Sequence, residues 1–178
     1  MHCKNSVTWR FLLLLSLSFL FIPFKWFISW VIASLIHELF HILSLCIFRC
    51  KINRILFDGN AVKIFSEPAA GYSKLICSLA GPIGSFGLII FIKSYPLLAI
   101  CGITQGIYNI LPFFPLDGWH ILNLIRSVQL RNVIKLFFSS ALLIMGLYLL
   151  FRSFGIVPLL LSLFIILRDL KNTLHLCD

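Results

Sequence analysis

His37, Glu38 and His41 stand together in the stretch LIHELFHIL, inside an otherwise apolar run. On a helix, residues four apart lie on one face, so both imidazoles can reach a single metal ion. Glu38 is turned about 100° from His37, close enough to address a water held by that metal. This is the HExxH arrangement, two zinc ligands and a general base. With five His in 178 residues, chance would produce it on the order of once in several hundred shuffles, so the motif carries information. A carboxylate without a cationic neighbour in its own span is costly to bury in lipid, and ionisable groups there are functional by default. A metal resolves the cost.

A catalytic zinc takes three protein ligands and keeps its fourth position open. Six acidic residues are present. Asp169 and Asp178 read as tail residues, Asp58 as a turn residue, and Glu67 as a loop residue before Pro68. Asp117 remains, in NILPFFPLDGWHIL, where Pro112 and Pro115 interrupt the helix before it. Such breaks inside membranes line cavities. His120, three residues on, is the rival third ligand.

The elements that must position these groups are membrane helices. Hydrophobic residues make up 60%, charged residues 12%, and the mean hydropathy is +1.02; soluble domains have roughly twice that charge. The expected fold is an all-α polytopic membrane protein, a single domain over residues 1–178, with about six transmembrane helices. Four spans are clear, Trp26–Phe48, Leu75–Ile92, Tyr95–Leu111 and Val133–Phe151; two end segments, Phe11–Phe24 and Phe154–Leu167, are short. The basic start followed by an apolar run lacks a small-x-small cleavage site and reads as a retained first span. The net charge of +9 comes from basic residues scattered singly between apolar runs, which argues against nucleic acid. With loops assigned alternately to two sides, one side collects twelve Lys and Arg and the other only Lys25, Lys93 and Arg152. The positive-inside rule then puts both termini in the cytoplasm. Spans two and four both end on that side, so His41, roughly 10 Å below the edge, and Asp117 are expected at similar depth near the cytoplasm. Six cysteines form no CxxC and suggest neither a disulfide framework nor a thiolate site.

Between the second and third spans, INRILFDGNAVKIFSEPAAG holds two short apolar runs around Asp58-Gly59-Asn60. That pattern predicts one small β-hairpin, Ile52 to Phe65.

HELFH in the second span, SLAGPIGSF opening the third and NILPFFPLDG ending the fourth resemble the site-2 protease family of intramembrane zinc metalloproteases, over roughly Ile28 to Leu122. The six-span layout without a soluble regulatory domain is most similar to the sporulation-type subgroup, which cleaves a membrane-associated precursor of a sigma factor. The resemblance implies one zinc ion per chain held by His37, His41 and Asp117, Glu38 as base, and Asn109 holding substrate or the developing oxyanion. Gly81 and Pro82 would shape close packing. It also implies a bacterial cell-membrane location and a membrane protein as substrate, with the regulator and any homo-oligomer open. Phe40 and Trp119 stand where the family usually has Gly, and Phe40 is expected to narrow the approach to the metal. The hairpin would pair with an extended substrate as an added strand. Two other classes fit a buried His-Glu-His set less well: a membrane metal-handling or transport protein, which needs polar residues spread along a path, and an inactive relative, which should have lost Glu38 or a ligand.

Overall fold

The structure, a computed structural model, describes residues 6, 7, 13, 16, 18–50, 52–58, 61–66, 72–152 and 155–174. Its elements are β1 (Ser6–Val7), α1 (Phe24–Ile47), β2 (Ile52–Asp58), β3 (Ala61–Ser66), α2 (Tyr72–Gly87), a 3-10 turn (Leu88–Phe91), α3 (Pro96–Ile110), α4 (Asp117–Leu122), α5 (Val128–Phe151) and α6 (Val157–Leu174). They fall into two compact units, Met1–Asn109 and Ile110–Asp178.

In the first unit α1 begins at Pro23, whose carbonyl accepts from Trp26 and Phe27 N–H at 2.9 and 3.1 Å. Proline's missing N–H costs nothing where the helix has no acceptor for it. The 24 residues of α1 span about 36 Å, more than the roughly 30 Å hydrocarbon core. The helix ends in a Schellman pair: Cys50 N–H donates to Leu45 O at 2.9 Å and Arg49 N–H to Cys46 O at 3.0 Å. Arg49 takes the left-handed conformation this end requires, φ 54°, usually a glycine position.

Small residues let α2 approach α1 closely, and α3 approach α2. Ala80, Gly81, Gly84 and Ser85 of α2 and Ala99, Cys101, Gly102 and Gly106 of α3 are buried. Without bulky side chains at such positions, backbones close up and dispersion replaces the hydrophobic effect that lipid cannot supply. A Cβ on Gly102 would stand 2.6 Å from Ser85 O, and one on Gly106 2.9 Å from the Phe86 ring. Ala33, Leu88 and Cys101 form the core of this unit, with Ile36 and Leu98 against it.

The segment expected as a hairpin holds the strands β2 and β3, antiparallel, with Asp58 opposite Ala61 and Ile55 opposite Ile64. β1 pairs parallel with the other edge of β2, giving the order β1-β2-β3.

In the second unit Ser127 caps α5, its hydroxyl accepting from Leu130 N–H at 3.3 Å. α5 packs on α6 around Gly146, where a Cβ would meet the Leu159 backbone at 3.0 Å. Ser162 Oγ donates across to Leu142 O at 3.1 Å. The ion pair Lys135–Asp169, 2.8 Å, joins the same two helices. Asp169 therefore corrects the sequence reading: it is a buried, paired residue of α6, 5% exposed, and not part of a tail.

Among the described residues three helical stretches are long and apolar enough to cross a membrane: Phe24–Ile47, Tyr72–Phe91 and Val128–Phe151; Pro96–Ile110 is a shorter apolar helix. Of the expected span Phe11–Phe24, residues 13, 16 and 18–24 are described, and 13, 16 and 18–21 are helical; the others lie outside the described residues. The outward faces carry large apolar groups, Phe21 and Ile47 each 76% exposed, Leu136 72% and Phe151 85%. Water would not tolerate so continuous an apolar surface on a monomer, whereas hydrocarbon does. The chain is a membrane-integral helical protein.

Candidate metal centre

His37 and His41 lie one turn apart on the face of α1 that meets α2. Their Nε2 atoms approach to 3.3 Å, with the rings edge-on and centroids 4.9 Å apart. The opposite nitrogens are held by α2: His37 Nδ1 lies 2.9 Å from Ser85 Oγ, and His41 Nδ1 2.7 Å from the Cys77 carbonyl. A carbonyl only accepts, so His41 carries its proton on Nδ1 and presents a lone pair at Nε2. Ser85 can donate or accept. With Ser85 donating, His37 places its proton on Nε2, and the 3.3 Å contact is a hydrogen bond. With Ser85 accepting, both Nε2 atoms present lone pairs to one point, and only a cation can reconcile them. A histidine Nε2 pair whose Nδ1 atoms are fixed by a carbonyl and a hydroxyl is the usual support for a metal ligand. The donor set therefore fits zinc.

The helix backbone of α2 has to come very close for this. A Cβ on Gly81 would run into His41 Nε2 and stand 2.7 Å from His37 Nε2. One turn further along, a Cβ on Gly84 would run into the Phe40 ring, 2.6 Å from Cδ2. Phe40, expected to narrow the approach to the metal, thus fills the seam over Gly84. Glu38 is half-buried on α1 beside His37.

Asn109 is half-buried near the end of α3, and its Nδ2 donates to Gln105 O at 3.2 Å. Gln105 Nε2 in turn donates to Ser34 Oγ on α1 at 3.3 Å.

Asp117 belongs to the second unit and is the first residue of α4. An acidic residue in the first turn suits the positive end of the helix. Gly118 follows because the turn is closed: a Cβ there would run into the Ile110 and Leu111 carbonyls. Phe113 N–H donates to Leu111 O at 2.9 Å and Leu116 N–H to Phe113 O at 2.8 Å, so the segment before Asp117 is a pair of tight turns. Phe113 is 1% exposed. Trp119, at the other position where Gly was expected, packs edge-on against Phe114 at 5.5 Å. His120, the rival ligand, is exposed, its ring 5.0 Å from that of Trp119.

Sequence reasoning named His37, Glu38, His41, Asn109, Asp117 and His120, but not Ser85 and the Cys77 carbonyl, which hold the rings, nor Gln105 and Ser34 behind Asn109. Ser85 lies in the quoted segment SLAGPIGSF, so its place was marked but not its partner.

No model of a known protein family matches the chain. The fold is shared with a solved structure, the site-2 protease from Methanocaldococcus jannaschii, with a TM-score of 0.62 and 24% identity, covering 96% of this chain and 91% of that one. Among curated proteins, zinc metalloprotease MJ0392 of Methanocaldococcus jannaschii is 31% identical over 160 residues, 78% of this chain and 46% of that protein. The chain thus spans about half the length of this curated relative.

Proposed function

We propose that this chain is an intramembrane zinc metalloprotease of the site-2 protease family, sporulation-type, hydrolysing peptide bonds of membrane-embedded or membrane-associated proteins. One observation carries the reading: two imidazoles converge at 3.3 Å with their far nitrogens fixed, beside a glutamate on a helix able to cross a membrane. The fold shared with a solved site-2 protease and the identity to a zinc metalloprotease support it.

In this reading His37 and His41 hold one zinc ion through Nε2, and Asp117 supplies the third ligand. The ion, when bound, lowers the pKa of water and polarises a carbonyl. Glu38 takes the proton from the attacking water on its carboxylate and returns it to the nitrogen of the leaving amine. Asn109 Nδ2 has a second proton beyond the one given to Gln105 and donates it to the substrate carbonyl oxygen. The substrate must be extended to expose that carbonyl, and β3 is the strand at the sheet edge opposite β1 among the described residues. Six spans, cytoplasmic termini and a bacterial cell membrane complete the reading, on the loop-charge bias and the motif likeness.

The test is Glu38→Gln in the full chain, with zinc content and cleavage of a co-expressed membrane substrate measured on one preparation. Zinc should stay, and cleavage should fall by at least the 10² to 10⁴ typical of losing a general base. A variant that keeps zinc and cleaves near the parent rate would refute the mechanism.

A further inference from the structure

Asp169 is the buried charged group that the proposed chemistry does not use. Its Oδ2 pairs with Lys135 Nζ of α5 at 2.8 Å, and its Oδ1 accepts from the Phe114 backbone N–H at 3.0 Å. Arg168, the residue before it, lays its guanidinium 5.9 Å from the centre of the Phe114 ring. Two consecutive residues of α6 therefore grip one residue of the segment 111–116, by its backbone and by its ring. Phe114 in turn packs on Trp119, two residues beyond Asp117. An ordinary structural pair between α5 and α6 would have no need of a main-chain donor from a third segment. A charged acceptor strengthens that bond roughly twofold over a neutral one, and Lys135 is the counter-ion of the buried side chain at 2.8 Å.

We propose that Asp169 is a positioning residue for the metal centre: held by Lys135, it fixes the backbone at Phe114 and so sets where Asp117 is presented. The inference rests on the reading of Asp117 as a ligand, but the hydrogen bond it turns on can be tested apart from zinc. Asp169 acts through the backbone, so losing the acceptor costs more than losing the charge.

Two charge-free double variants separate these roles. Lys135→Met with Asp169→Asn keeps an oxygen that can accept from Phe114 N–H. Lys135→Met with Asp169→Leu removes it at similar volume. Both are made in the full-length protein in detergent and compared for thermal unfolding, for amide exchange of the peptide covering residues 111–119, and for zinc affinity by chelator competition. The expected result is tenfold or faster exchange of that peptide in the Leu variant only. Zinc affinity should fall about 10- to 100-fold, the range for losing a partner behind a ligand, again in the Leu variant only. Parental exchange and zinc affinity in the Leu variant would overturn the proposal. So would equal losses in both variants, which would make Asp169 a charge-pair residue. Should the Leu variant fail to fold, Asp169→Asn alone decides: slowed or unchanged exchange with zinc retained upholds the backbone role, and lost protection overturns it. A parent that binds no zinc while the Leu variant loses protection would refute the metalloprotease reading and leave the grip on Phe114 standing.

Discussion

Replacing Gly81 with alanine adds one methyl group where α2 meets the two imidazoles. The backbone there tolerates alanine, and helix propensity favours it over glycine by about 1 kcal/mol. The methyl, however, overlaps His41 Nε2 and stands 2.7 Å from His37 Nε2. Neither ring can simply swing away, because each is tied at Nδ1, at 2.9 and 2.7 Å. Clearing a normal contact takes a displacement of roughly 1 Å, which costs about 1–3 kcal/mol of overpacking. Losing one Nδ1 bond adds about 0.5–1.5 kcal/mol. Against the propensity gain, the fold should lose about 0.5–3.5 kcal/mol, leaving the protein assembled. The metal fares worse: ligand distances are held to about 0.2 Å, and the ring shift is several times that. Zinc affinity should therefore drop by more than the 10- to 100-fold that loss of a supporting partner alone produces. Chelator competition on purified parent and Gly81→Ala, with thermal unfolding of the same samples, measures both quantities. Parental zinc affinity in Gly81→Ala would refute the assignment of these two nitrogens as ligands.

Ser85→Ala removes the partner of His37 Nδ1 and should weaken zinc by about 10- to 100-fold, again read by chelator competition. Gly118→Ala drives a Cβ into the Ile110 and Leu111 carbonyls, which belong to the backbone and yield little. It should destabilise by at least about 1–3 kcal/mol, seen as a lowered unfolding midpoint in detergent. A reporter fused after Asp178 should be active only as a cytoplasmic reporter; activity on the far side would mean that the span count is off by one.

The helix that carries the candidate metal site was legible because its signal is local: His37 and His41 share a face whatever surrounds them. The strands Ile52–Asp58 and Ala61–Ser66 fall on the two short apolar runs, a pattern that is also local; residues 59 and 60 lie outside the described residues. What lay hidden depends on which element packs on which. Ser85 and Cys77 are serine and cysteine in an apolar run until α2 is laid against α1. Asp169 reads as tail from its neighbours Arg168 and Lys171, a charged cluster near the end of the chain. Its pairing with Lys135, 34 residues earlier, has no spacing rule that would reveal it. The motif gives the position of Phe40 on α1 but not the glycine opposite, Gly84, over which its ring lies.

The two imidazoles are anchored by different kinds of group, with a consequence for mutational robustness. Ser85 holds His37 through a hydroxyl that a single base change can delete. Cys77 holds His41 through a peptide oxygen, which every amino acid possesses. Position 77 is therefore free to vary in sequence without loosening the ring, provided the new side chain fits a half-buried site. The thiol there can be exchanged for alanine or serine when one cysteine fewer is wanted for cross-linking or spectroscopic labels.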